Sequence, residues 1–142
     1  MVDIVTTIVV SVFAGLSLVH FYWVLGGGAG KLAAVPEVSG RRVFEPSAGS
    51  TLIVAFGLAL CAFLVAGTAG LVSVPFPANW LQWLSYALSF ALLARAIGDF
   101  RLVGFFKRVR RTRFARLDSI AYAPLCLLLA AGVFYVTNAH GA

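Results

Sequence analysis

The sequence predicts an all-α integral membrane protein, an up-down antiparallel bundle of four transmembrane helices, and two observations carry that prediction. Four apolar stretches, at residues 4–25, 51–72, 80–98 and 120–137, each run for about 18 to 22 residues, long enough to cross a hydrocarbon core of about 30 Å as helix. The cations then fix a direction. Ten of the eleven Lys and Arg residues fall in two of the three gaps: Lys31, Arg41 and Arg42 in the first, and Arg101, Lys107, Arg108, Arg110, Arg111, Arg113 and Arg116 in the third. Residues 73–79, the second gap, carry no charge. By the bias of positive residues toward the cytoplasm, the first and third loops are expected inside and both termini outside. A composition of 61% hydrophobic against 11% charged residues is that of a chain living in lipid. It leaves one domain, residues 1–142, and no separate soluble one.

The first span is too long and uninterrupted for the core of a signal peptide, so it is expected to stay in place. The loop that follows, residues 26–50, holds a glycine run with Pro36 and Pro46; a re-entrant element and a lid both fit. Small residues Ala55, Ala59, Ala62, Ala66 and Gly70 form a stripe on the second span, and Ala87, Ala91, Ala94 and Gly98 form one on the third. In lipid such stripes allow close helix approach, so both are expected to face helix neighbours. Cys61 and Cys126 lie mid-span and read as small core residues. In the basic loop, 99–118, Val103, Phe106, Val109, Phe114 and Leu117 recur at roughly helical spacing among the cations. Two readings stand: a segment lying in the lipid interface, with Lys107, Arg108, Arg110, Arg111 and Arg113 on headgroups, or a plain solvated loop.

Polar residues within the spans collect at one end. His20, Tyr22 and Trp23 close the first span, Arg95, Asp99 and Arg101 the third, and Asp118 and Tyr122 open the fourth. Ionisable groups at such depth are costly, so their gathering marks a candidate binding site. Each has a plainer reading. Arg95 and Asp99, at i and i+4, suit a structural ion pair; Asp118 suits an N-cap; Tyr22 and Trp23 suit an aromatic belt; His20 suits a hydrogen-bonded core residue. Pro124 lies either inside the fourth helix, where it deprives the Ile120 carbonyl of its donor, or at its start.

Several chemistries are disfavoured. GGGAGK at 26–31 has three residues where a phosphate loop needs four, and no Ser or Thr follows Lys31. His20 and His140 stand at opposite faces of the bilayer, which argues against a haem ligated by both. No metal-ligand spacing occurs, and no cofactor is expected. The cations adjoin span ends, where headgroups are nearer partners than nucleic acid.

The segments HFYWVLGG (20–27), FEPSAGST (44–51), RAIGDFRLVGFFKR (95–108) and FARLDSIAYAPLC (114–126) resemble the signature blocks of a bacterial domain-of-unknown-function family of integral membrane proteins of about this length. The resemblance implies the four-helix architecture and the joint occurrence of His20, Tyr22, Trp23, Pro46, Arg95, Gly98, Asp99, Arg101, Asp118, Tyr122 and Pro124. It implies no activity. Two functions are therefore expected as alternatives in the bacterial cytoplasmic membrane. One is a polar pocket at the cytoplasmic leaflet for an amphipathic ligand such as a lipid, isoprenoid or quinone, with catalysis left open. The other is a non-catalytic accessory or scaffold subunit, in a larger membrane complex or a homo-oligomer.

Overall fold

A computed structural model describes residues 1–38, 41–98 and 101–140. Its architecture is all-helical in its long elements: α1 (Val2–Val24), α2 (Ala48–Thr68), α3 (Ala78–Ile97), and a fourth long helix assembled from α4 (Arg113–Leu117), a π-helical turn (Asp118–Tyr122) and α5 (Ala123–His140). Among the described residues three helices are long and apolar enough to cross a membrane: Val2–Val24, Ala48–Thr68 and Arg113–His140. This is the character of a membrane protein. The third helix has comparable length, 20 residues, but Asn79, Gln82, Ser85, Ser89 and Arg95 dilute its apolarity, and it does not join that group.

Local chemistry sets the helix ends. In α1 the Gly27 N–H donates to the Tyr22 carbonyl at 2.9 Å, and Gly26 takes a φ of 100°, a left-handed setting that glycine adopts without a Cβ penalty. Ser47 caps α2, its side chain accepting from the Ser50 N–H at 3.1 Å. Thr112 caps the fourth helix in the same way, accepting from the Ala115 N–H at 3.1 Å. The fourth helix thus begins at Arg113, seven residues before the predicted 120, and Asp118 is no N-cap. Pro124 lies inside the helix, immediately after the turn in which the Ala123 N–H donates to the carbonyl of Asp118, five residues back. A π turn is one of the ways a helix accommodates such a disruption.

Polar contacts tie sequential helices together. The Ser17 hydroxyl donates to the Ala55 carbonyl at 2.8 Å, Thr68 and Ser85 share a hydroxyl contact of 2.9 Å, and Ser89 donates to the Ala130 carbonyl at 2.8 Å. The core is one cluster of Val9, Phe13, Ala62, Val65, Leu129, Val133 and Val136. Of the two small-residue stripes, the one on α2 is largely packed inward, with Ala55, Ala62 and Ala66 buried. The one on α3 is not: Ala87, Ala91 and Ala94 are exposed, and α3 buries Leu81, Ser85, Ser89 and Ala96 instead. The reason is polar. Ser85 and Ser89 reach partners only by facing the bundle, and that rotates the alanines outward. The outer surface is apolar, with Ile4, Ile53, Leu60, Trp83, Phe90 and Leu128 among its exposed residues.

Between α1 and α2 the chain makes a 3-10 turn (Lys31–Ala34) and a two-residue antiparallel ladder pairing Glu37 with Arg42 and Val38 with Arg41. These elements pack on α4. The first and third loops therefore meet at one end of the bundle.

Candidate functional site

At that end the predicted polar residues fall into two separate constellations. The first is centred on Asp118, which is 0% exposed. One carboxylate oxygen accepts from the Arg95 guanidinium at 2.9 Å; the other accepts from the Gly104 N–H at 2.7 Å and the Lys107 ammonium at 3.0 Å. Lys107, 1% exposed, also donates to the Ser119 hydroxyl at 2.7 Å and the Gly104 carbonyl at 2.9 Å. All three of its protons are committed.

Two glycines make this clasp possible. Gly98 and Gly104, with φ of 96° and 86°, lie backbone to backbone, so a Cβ on Gly98 would overlap the Val103 carbonyl and one on Gly104 would overlap the Ile97 carbonyl. Folded back in this way, the loop offers the Phe105 N–H to the Ala96 carbonyl at 2.9 Å, satisfying an acceptor at the end of α3. Lys107, expected at lipid headgroups, is therefore interior. Its neighbours Arg108, Arg110, Arg111 and Arg113 are exposed. Arg95 pairs with Asp118 across 23 positions; Asp99, its expected i+4 partner, lies outside the described residues.

The second constellation is a cleft of about 220 Å³ between α1, the first loop and the start of α2, lined by His20, Trp23, Lys31, Phe44, Pro46 and Thr51 among others. The His20 Nδ1 lies 2.8 Å from the Leu16 carbonyl. Because that carbonyl can only accept, Nδ1 carries the proton, and in the neutral ring Nε2 keeps a free lone pair. Trp23 stacks edge-on against His20 at 4.7 Å and donates its indole N–H to the Ala29 carbonyl at 2.7 Å, fixing the loop over the cleft. The Lys31 backbone N–H donates to the Gly28 carbonyl at 3.3 Å, but among the described residues its ammonium has no hydrogen bond or ion pair, and none of their carboxylates lies within bonding distance of His20.

Tyr122 joins the two. Its hydroxyl donates to the Ala33 carbonyl at 3.3 Å, and its ring lies 6.0 Å from that of Phe114. Tyr22 is absent from the cleft; its ring covers Gly27, leaving no room there for a side chain. Arg101 is exposed on the third loop, outside the cleft lining. Of the eight residues expected in one pocket, His20 and Trp23 line the cleft, Arg95 and Asp118 form the clasp, and Tyr122 bridges.

Sequence reasoning passed over Lys31, Phe44, Ser50 and Thr51 as lining residues, and Lys107 and Gly104 as partners of Asp118. One signal was present. Lys31 is the single cation between residues 1 and 40, placed directly after the glycine run that ends the first span.

The chain matches, over residues 13–133, the family described as "Protein of unknown function (DUF3995)", and it belongs to that family. No curated protein and no solved structure matches it.

Proposed function

We propose that this member of the unknown-function family is a four-span protein of the bacterial cytoplasmic membrane, its termini outside, and that the His20 and Lys31 cleft binds an amphipathic molecule with an anionic or hydrogen-bonding head. The observation that carries the reading is an ammonium and an imidazole nitrogen, neither with a partner among the described residues, lining one cleft with the apolar wall of Trp23, Val35, Phe44, Pro46 and Val54. A lipid, isoprenoid or quinone-like molecule has both halves. The cleft volume is below that of typical small-molecule pockets, about 300 to 1,000 Å³, which suits a headgroup whose chain continues along the exposed flanks of α1 and α2.

Support for four spans comes from the third helix. Its polar residues Ser85 and Ser89 are buried and bonded inside the bundle, while Trp83, Leu84 and Phe90 face outward. At about 1.5 Å per residue its length suffices for a span. The orientation rests on the cations, all of which sit at the cleft end.

Native-nanodisc extraction followed by mass spectrometry of co-purified small molecules tests the binding. The expected result is one retained amphipathic molecule per chain, with occupancy falling about tenfold in Lys31→Gln, the loss expected for one charge-assisted contact of about 1.4 kcal/mol. No retained molecule, or unchanged occupancy in Lys31→Gln and His20→Gln, refutes the reading. A stoichiometric larger protein would favour an accessory subunit, the alternative supported by the exposed alanine face of α3.

A further inference from the structure

We infer that the third loop is a preorganised platform for anionic phospholipid headgroups, distinct from the cleft and independent of what the cleft binds. A positively charged loop beside a span is ordinary. What the structure adds is that this one is tied down from within. Gly104 and Lys107 bond to Asp118, the Phe105 N–H bonds to the Ala96 carbonyl, and the Val109 N–H donates to the Arg101 carbonyl at 3.0 Å. Even Arg110 is braced, its Nε donating to the Lys107 carbonyl at 3.1 Å although the residue as a whole is exposed.

The consequence is a sorting of cations. Lys107 is buried and paired with Asp118 inside. Arg108, Arg110, Arg111, Arg113 and Arg116 are exposed, and among the described residues none of them is in an ion pair. Five guanidinium groups within nine residues repel one another unless anions lie between them, and a guanidinium fork suits a phosphate bidentately. Phe105 and Phe106, the latter 62% exposed, stand on the same loop. An acidic protein would satisfy the arginines and leave these rings in water. A bilayer interface takes both, with rings among the acyl boundary and arginines among phosphates. Placement agrees, because α4 carries Arg113 and Arg116 and runs directly into an apolar helix.

The test uses the full chain reconstituted in nanodiscs of mixed phosphatidylcholine and phosphatidylglycerol, gently delipidated, with retained headgroups counted by native mass spectrometry. Phosphatidylglycerol should be retained above its bulk proportion. In the quadruple variant Arg108→Gln, Arg110→Gln, Arg111→Gln and Arg113→Gln that enrichment should fall at least about fivefold, the weight of a single basic residue at an anionic surface. Should that variant fail to insert, four Arg→Lys substitutions keep the charge while removing the fork, and an intermediate enrichment is expected. Retention no better than phosphatidylcholine overturns the inference, as does enrichment untouched by the glutamines or equal in the lysine variant and the parent. Displacement of the lipid by inorganic phosphate beyond that caused by chloride of equal ionic strength overturns it too, by making free phosphate the ligand. Lys31→Gln should remove at most the one molecule per chain held by the cleft and leave the rest of the enrichment, which separates this platform from the cleft.

Discussion

Replacing Asp118 with Asn keeps the shape of the side chain and removes its charge. The carboxylate is fully buried and accepts from Arg95, Lys107 and the Gly104 N–H. An amide offers one acceptor oxygen and turns a donor toward groups that are themselves donors. Lys107 suffers most, since it is 1% exposed and would be left as an uncompensated buried cation. Removing one partner of such a pair costs about 3–5 kcal/mol. Arg95, whose side chain is 35% exposed, is partly screened and adds less. Asp118→Asn should therefore destabilise by about 3–5 kcal/mol in all. Lys107→Met should cost about 1–3 kcal/mol, because Asp118 keeps Arg95 and the Gly104 amide. In Lys107→Met/Asp118→Asn the stranded cation is gone, so the double variant should be more stable than the sum of the singles by about 1–3 kcal/mol. Unfolding in mixed micelles by titrated dodecyl sulfate, followed through tryptophan fluorescence, measures all three. An Asp118→Asn effect within about 0.5 kcal/mol of zero, or strict additivity, would refute the clasp.

Gly104→Ala should cost more than about 2 kcal/mol, from positive φ and backbone overlap together, whereas Gly15→Ala, with nothing near its Cβ, should be neutral or gain up to about 1 kcal/mol as a helix substitution; the same denaturation assay compares them. Ser17→Ala and Ser89→Ala each remove one buried interhelical bond, and each should lose about 0.6 kcal/mol and no more than about 1.7. With Cys61 and Cys126 first replaced by Ala, cysteines at Ser73 and Ala139 should react with an impermeant maleimide added to intact cells, while one at Phe44 should react only after permeabilisation. The reverse pattern would invert the orientation and move the cleft to the outer leaflet.

Three helices long and apolar enough to cross a membrane were legible because membrane burial writes itself into long apolar runs, and the gathering of polar residues at one end was legible because the basic loops name that end. What failed was anything that depends on rotation or on long-range pairing. Ala87, Ala91 and Ala94 looked like a packing face by spacing alone. Which face of α3 turns inward is decided by Ser85 and Ser89 finding Thr68 and the Ala130 carbonyl on other helices, information absent from the helix itself. The start of the fourth helix was hidden for a related reason. Arg113 and Arg116 interrupt the apolar pattern, yet Thr112 caps a turn that needs no apolar residues to form. Asp118 read as a cap because capping is local, while its partners lie 11, 14 and 23 positions away.

The two constellations at the cleft end differ in how far their polar capacity is used, and that difference separates structure from function. In the clasp, Asp118 accepts three bonds and Lys107 donates three, so the fold consumes both; among the described residues the buried Arg95 Nη1 is the clasp atom left without a partner, and a ligand reaching Asp118 or Lys107 would have to displace bonds already made in a low-dielectric interior. In the cleft, Trp23 spends its indole N–H on the loop and His20 spends Nδ1 on its own helix. Those bonds orient the two rings without exhausting the site, for among the described residues the His20 Nε2 and the Lys31 ammonium have no partner and share the cleft with an apolar wall. Partly buried polar groups left uncommitted are unfavourable to keep unless something completes them. The clasp therefore acts on the cleft at a distance: it holds the fourth helix where Tyr122 meets the Ala33 carbonyl, and so holds the turn that presents Lys31.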